Sequence, residues 1–288
     1  MNKIDLLKTR RAKLLEAGKD IRADISALTD DGSFVELDAY AFSHSDFYNE
    51  DAQGEGVVTG YATINDVPVY VVAQNVNVLS GGVSKANCAK IKKCLDKALA
   101  GGKPVVYLFN SLGVRIGEGV NVLEGLAEVI SASDDLKGEV PQFSIVKGEL
   151  YGSFALLAAN ADFNLMTKDA AVAYASPFVI SAKSDKNVDK TEVGGVKASK
   201  YNSVSTIEIA DIEDAKAKIA EILSILPVTA EIVTDTDDDL NRATESLDEK
   251  ICAGCLTKAV FDNGKFIEMN AEFRPEVKTG IGRIGGIS

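Results

Sequence analysis

PVVYLFNSLGVRIGE, Pro104 to Glu118, is the stretch on which the fold turns. Val105 to Phe109 is an unbroken apolar run, too short for a helix and without the alternation of a half-exposed strand, so it reads as a strand buried on both faces. It stops in the turn Ser111-Leu112-Gly113-Val114-Arg115. A helix is expected next, from about Gly117 to Ser131, with Val120, Leu123, Leu126, Ala127 and Ile130 on one face. A buried strand that passes through a glycine-bearing turn into an amphipathic helix is the repeating step of an α/β protein with parallel strands.

The same step recurs on both sides. Upstream, Val67 to Ala73 predicts a strand, Gly81-Gly82-Val83-Ser84 a turn, and Ser84 to Leu99 a helix ended at Gly101. Downstream, Pro141 to Val146 predicts a strand, Gly148 with Gly152-Ser153 a turn, and Ser153 to Ala161 a helix of small residues, followed by short strands at Phe163 to Thr167 and Ala171 to Tyr174. Residues 3 to 28 predict an amphipathic helix or helix pair broken at Gly18, and Asp211 to Ile225 a further helix closed by Pro227. The acidic run Asp235 to Asp239 suits a solvated boundary. The expected layout is a helical segment at 1–29, one main domain at 30–228, an acidic linker at 229–247 and a short second segment at 248–288.

Composition narrows the chemistry. With 288 residues and 46% apolar content the chain can bury a large core. Lys plus Arg number 31 against 43 Asp plus Glu, a formal net charge of −12, which disfavours a nucleic-acid binder. The first 28 residues lack the apolar run of a signal peptide or membrane span, so the expectation is a cytoplasmic protein with no direct membrane insertion. His44 is the one histidine, which excludes any mechanism built on a histidine pair within the chain. Four cysteines without a secretory signal make a disulfide framework unexpected. Cys252 and Cys255 have Cys-x-x-Cys spacing, but a zinc site needs two such pairs, and the expectation is no metal, with both as buried or incidental thiols.

The three turns lack the Gly-Lys-Ser/Thr ending of a phosphate loop and the spacing of a dinucleotide fingerprint. Helix N-termini that converge can instead aim paired backbone N–H groups at a developing oxyanion, each worth roughly 3 kcal/mol, with no histidine required. Lys85, Lys90, Lys92 and Lys93 on the helix after Gly82 could meet an anionic ligand or simply solvate that helix.

Gly56-Val57-Val58-Thr59-Gly60, Gly81-Gly82-Val83-Ser84 and the Pro104–Glu118 stretch together resemble the carboxyltransferase subunits of biotin-dependent acyl-CoA carboxylases and decarboxylases. The family text PVIGLNDSGGARIQEG is matched at Ser111, Gly113, Arg115, Ile116, Glu118 and Gly119. Gly148 and Gly152 resemble its GPCAGG turn, Glu192 to Gly195 its ELGG element, and Ala215 to Pro227 the helix closing its first half. The resemblance runs in order from about residue 30 to 286. It implies a crotonase-like fold of stacked β-β-α units and an acyl-CoA whose thioester enolate is held by the N–H of Val114, after Gly113, and by that of Gly152 or Ser153.

It also implies Gly81, Gly82, Ser84, Arg115, Gly148 and Tyr151 as cofactor-binding candidates, with Arg115 equally placed to pair with Glu118 or a helix carbonyl. Leu112, Tyr151 and Ser153 depart from the family's small residues, and Leu112, Tyr151 and Phe154 would reshape the acyl pocket. Biotin would arrive on a biotin carboxyl carrier protein. Residues 248–286 resemble the opening of the family's second half, so the partners implied are a second-half carboxyltransferase subunit and that carrier, in a homo- or hetero-oligomer. Two other readings stand beside this one: a non-catalytic acyl-CoA-binding or assembly subunit, and a crotonase-type hydrolase or isomerase with Glu118 or Glu149 as base.

Overall fold

The computed structural model describes residues 2–227, 236–242 and 252–288. Two helices lead, α1 (Lys3–Ala17) and α2 (Lys19–Leu28), followed by β1 (Val35–Leu37) and a hairpin of β2 (Ser43–Ser45) and β3 (Glu50–Ala52). The main body is β4 (Val57–Ile64), β5 (Val67–Gln74), α3 (Lys85–Gly101), β6 (Val105–Ser111), α4 (Asn121–Asp135), β7 (Gln142–Tyr151), α5 (Ser153–Asn160), β8 (Phe163–Thr167) and β9 (Ala171–Ala173). Three short helices, α6 (Pro177–Ser184), α7 (Lys190–Gly194) and α8 (Val196–Tyr201), lead to β10 (Ile207–Ile209) and α9 (Ile212–Ile225). The last segment holds α10 (Ala253–Val260) and the pair β11 (Phe266–Met269) and β12 (Thr279–Gly282).

Apolar runs dictate the layering. The main sheet has the order β1-β4-β5-β6-β7-β8-β10. The β1/β4 and β4/β5 pairs are antiparallel, and every pair from β5 to β10 is parallel. Val105, Tyr107 and Phe109 on β6 face one core with Ile91 and Leu95 of α3 and Leu126 and Val129 of α4, while Val106 and Leu108 face a second with Ile25 of α2 and Ile219 and Ile222 of α9. Covered on both faces, the central strand has no polar side to show, which is why its sequence does not alternate. The fold is thus the α/β arrangement expected from the resemblance, with β4-β5-α3 as its first β-β-α unit.

Several boundaries differ from the sequence-based expectations. β7 extends to Tyr151, so Gly148 lies inside a strand and not in a turn. A Cβ at Gly148 would come within 2.9 Å of both polar atoms of the Asn110 side chain, which crosses the strand there. The far end of β7 pairs with β9 and its near end with β8, a fork that a strand stopping at Val146 could not make. The helix expected from Gly117 begins at Asn121, after a single tight turn at Ile116–Glu118. α2 buries Ile21, Ile25 and Leu28 against the sheet and so packs with the main body.

Cys252 and Cys255 also differ from expectation: their sulfurs are bonded to each other and both residues are exposed. Cys252 caps α10, and the helical turn places the two sulfurs side by side. Cys88 and Cys94 are buried, and burial pushes each thiol up to about 12. Residues 228–235 and 243–251, most of the expected acidic linker, lie outside the described residues.

Candidate active site

Adjacent parallel strands β6 and β7 deliver two turns to one place. Ser111 pairs with Leu150 at the end of their register, so the chains leaving them, Leu112 to Arg115 and Gly152 to Phe154, start side by side. A Cβ on Gly152 would sit 3.7 Å from the Cα of Gly113. Both glycines have positive φ, +125° at Gly113 and +83° at Gly152, conformations that L side chains resist.

The first turn leaves one N–H free. Val83 donates to the Gly113 carbonyl at 3.0 Å and accepts from the Arg115 N–H at 2.8 Å. That parallel bridge uses the groups on either side of Val114 and turns its own N–H the other way. Among the described residues the Val114 N–H has no acceptor. The Gly113 N–H is shared with Ser111 Oγ at 3.3 Å.

In the second turn the two candidates separate. The Gly152 N–H donates to the Ala173 carbonyl at 3.2 Å, so it is already used by the β7–β9 fork. Ser153 is the first residue of α5, where an N–H has no intrahelical acceptor, and none is recorded for it among the described residues. Of the candidate donors, the N–H groups left without an acceptor among the described residues are those of Val114 and Ser153, the latter at the positive end of α5.

An open cavity of about 330 Å³ adjoins the first turn, lined among others by Tyr48, Gly82, Leu112, Gly113, Val114 and Arg115. Gly152 and Ser153 lie across Gly113, outside its lining. The β2–β3 hairpin reaches this cavity through Tyr48 and Glu50, and Phe47 packs on Gly117 so closely that a Cβ there would come within 2.5 Å of it. Nothing in the residue spacing announced that contact, since the hairpin is 70 positions away from Gly117. His44 is the hairpin's exposed cross-strand partner of Asp51, at 2.9 Å.

Arg115 pairs with a carboxylate and a carbonyl, the structural one of its two expected roles, but its nearer partner is Glu55 and not Glu118. Its Nη1 meets Glu55 Oε2 at 3.0 Å and its Nη2 the Glu55 carbonyl at 3.0 Å, with both residues 2% exposed. Glu118 is further off, at 3.7 Å. Gly54, Glu55 and Gly56 all take positive φ, and this loop is held by Asn87 Nδ2 on the Glu55 carbonyl and by Lys90 Nζ on the carbonyls of Gly54 and Val57. Burial draws Lys90 down to about 8. Arg115 therefore fixes the floor beneath Val114; only its Nε, buried without a partner among the described residues, remains for a ligand.

Other candidates are spent locally. Ser84 caps α3 by accepting from Asn87 N and donates to Glu55. Gly81 backs onto the Asn110 carbonyl, 2.3 Å from where its Cβ would be, and Gly82 onto Arg115. Tyr151 is buried; burial, with the nearby Glu149 carboxylate, raises its phenol, and Oη has no partner among the described residues. Lys85, Lys92 and Lys93 are paired with Glu124, Asp96 and Asp38.

A family profile for the carboxyl transferase domain matches residues 15–288. The chain is 32% identical over 281 residues to the propionyl-CoA carboxylase beta chain of Roseobacter denitrificans, covering 92% of this chain and 55% of that one. It is 30% identical over 317 residues to the methylmalonyl-CoA decarboxylase subunit alpha of Veillonella parvula, covering 99% and 62%. Among solved structures, the transcarboxylase 12S hexamer with hydrolysed methylmalonyl-coenzyme A bound superposes with a TM-score of 0.85 at 25% identity, over 98% of this chain and 60% of that one. The chain thus spans little more than half the length of the curated relatives it matches.

Proposed function

The chain belongs to the carboxyl transferase family, and from that membership we propose that it is the acyl-CoA-binding half of a biotin-dependent acyl-CoA carboxylase or decarboxylase. One observation carries the reading: the free Val114 N–H and the first N–H of α5 at Ser153 stand on turns so close that a Cβ on Gly152 would lie 3.7 Å from the Cα of Gly113. A thioester carbonyl placed between them would gain most as its oxygen becomes an enolate, because two fixed donors and a helix end meet the growing charge without reorganising. Leu112 and Tyr48 on the adjoining cavity favour a short acyl group, in keeping with the propionyl and methylmalonyl substrates in the relatives' names.

Biotin does not fit the glycine pair at the end of the described residues. In the segment resembling the start of the second half, the Gly285 and Gly286 N–H groups both donate to Asp262, at 2.7 Å each, so this pair is not free for a ureido oxygen. Biotin on a carrier protein would supply the carboxyl exchange from a surface outside this chain. A second-half subunit is the expected partner, and the segments flanking the two turns carry exposed apolar side chains for it, among them Ile116, Val120, Leu123, Leu156, Tyr174 and Phe178. The proposed layout keeps 30–228 as the acyl-CoA domain and 248–288 as the opening of that second half.

The test combines the purified chain with a cognate second-half subunit and free biotin, and follows decarboxylation of malonyl-CoA or methylmalonyl-CoA. Turnover that needs both proteins supports the reading. Acyl-CoA binding without turnover would replace it with a non-catalytic binding subunit.

A further inference from the structure

Of the four cysteines, Cys252 and Cys255 are the ones that solvent can reach, and the proposed reaction leaves them unused. Their sulfurs are bonded to each other at the start of α10, an eight-residue helix. Cys252 is the N-cap, and its Sγ accepts the backbone N–H of Cys255 at 3.0 Å. We propose that this pair is a thiol–disulfide exchange site, reduced and re-oxidised by low-molecular-weight thiols or dithiols and their disulfides.

A structural staple is a poor explanation of the pair. A bond across two intervening residues closes so small a loop that it removes little freedom from the unfolded chain. α10 is already anchored at its other end, where Arg242 donates to the carbonyls of Ala259 and Phe261 at 2.6 and 3.0 Å. Exposure and electrostatics point to exchange instead. An attacking thiolate can reach either sulfur, and the two sulfurs are unequal leaving groups. Cys252 Sγ faces the Cys255 N–H and the positive end of the helix, both of which stabilise a thiolate there. Cys88 and Cys94 are the contrast within the same chain: buried, and held as thiols by that burial.

The inequality sets the order of events. An external thiolate attacks Cys255 Sγ; the S–S bond breaks, its electron pair leaves with Cys252, and a mixed disulfide forms on Cys255. A second thiolate, from another molecule or the other end of a dithiol, attacks the external sulfur of that mixed disulfide and releases Cys255 as thiolate. Two external thiols become one disulfide, the protein disulfide becomes two thiols, and the protons move with them. Oxidation by an external disulfide is the reverse path.

The full chain is equilibrated in buffers of varied reduced-to-oxidised glutathione ratio, quenched in acid, alkylated and counted by mass spectrometry. Two thiols should appear and disappear together with a two-electron dependence on the ratio, while Cys88 and Cys94 stay as thiols throughout. With folding confirmed by circular dichroism, Cys252 in Cys255→Ser should alkylate several-fold faster at pH 7 than Cys255 in Cys252→Ser. A pair whose thiol count does not follow the ratio overturns the proposal, as does one found holding stoichiometric zinc that a chelator must remove before alkylation. Equal alkylation rates in the two variants would overturn the order of attack.

Discussion

At the scale of single residues, Ser153 offers an unusually clean substitution. Position N1 of a helix tolerates proline because its N–H has no intrahelical acceptor, so Ser153→Pro deletes the proposed donor while leaving α5 able to form. In the assembled enzyme kcat should fall about 10²- to 10³-fold with little change in melting temperature. An unchanged kcat would remove Ser153 from the site. Arg115 tests the opposite kind of role. Removing one partner of a buried pair strands the other charge, so Arg115→Met should cost about 3–5 kcal/mol, read by urea unfolding, through the isolated Glu55 carboxylate. Glu55→Gln in the same background should recover part of that loss, which a simple packing role for Arg115 would not predict.

At the scale of elements, the helices that carry the turns are pressed together at one glycine. Gly125 of α4 faces α3, and a Cβ there would lie 2.9 Å from the Cβ of Cys88. Glycine to alanine in a helix interior ordinarily gains about 0.5–1 kcal/mol. Overpacking a tight contact costs about 1–3 kcal/mol, so the clash should win and Gly125→Ala should lower the urea midpoint. A raised midpoint would mean that α3 and α4 can part there without loss. Elements of this kind were largely readable in advance. The β6 run, the capped α3 and the Asp211-capped α9 are set by local periodicity and end signals, which sequence displays directly. The length of β7 was not, because Gly148 looks like a turn residue until Asn110 is seen crossing it. The two turns could be named from their glycines, yet which N–H remains free depended on Ala173, and the partner of Arg115 lay 60 positions away at Glu55. Neither contact leaves a mark on local spacing.

At the scale of the molecule, segments 112–123 and 153–178, which flank the turns in the chain, carry exposed apolar side chains that the proposed second half would cover. Val120→Glu and Phe178→Glu, 77% and 82% exposed, should weaken association with a second-half subunit at least tenfold while leaving the melting temperature of the chain alone unchanged. Unaltered association would place the partner on another face. The proposed convergence of the two amides can be tested without any partner, by titrating the isotope-labelled chain with a short acyl-CoA and following backbone amide resonances. Val114 and Ser153 should shift together with a single affinity, and Gly152, tied to Ala173, should move less. Acyl-CoA that binds while both resonances stay in place, or that fails to bind at millimolar concentration, would contradict the shared oxyanion site.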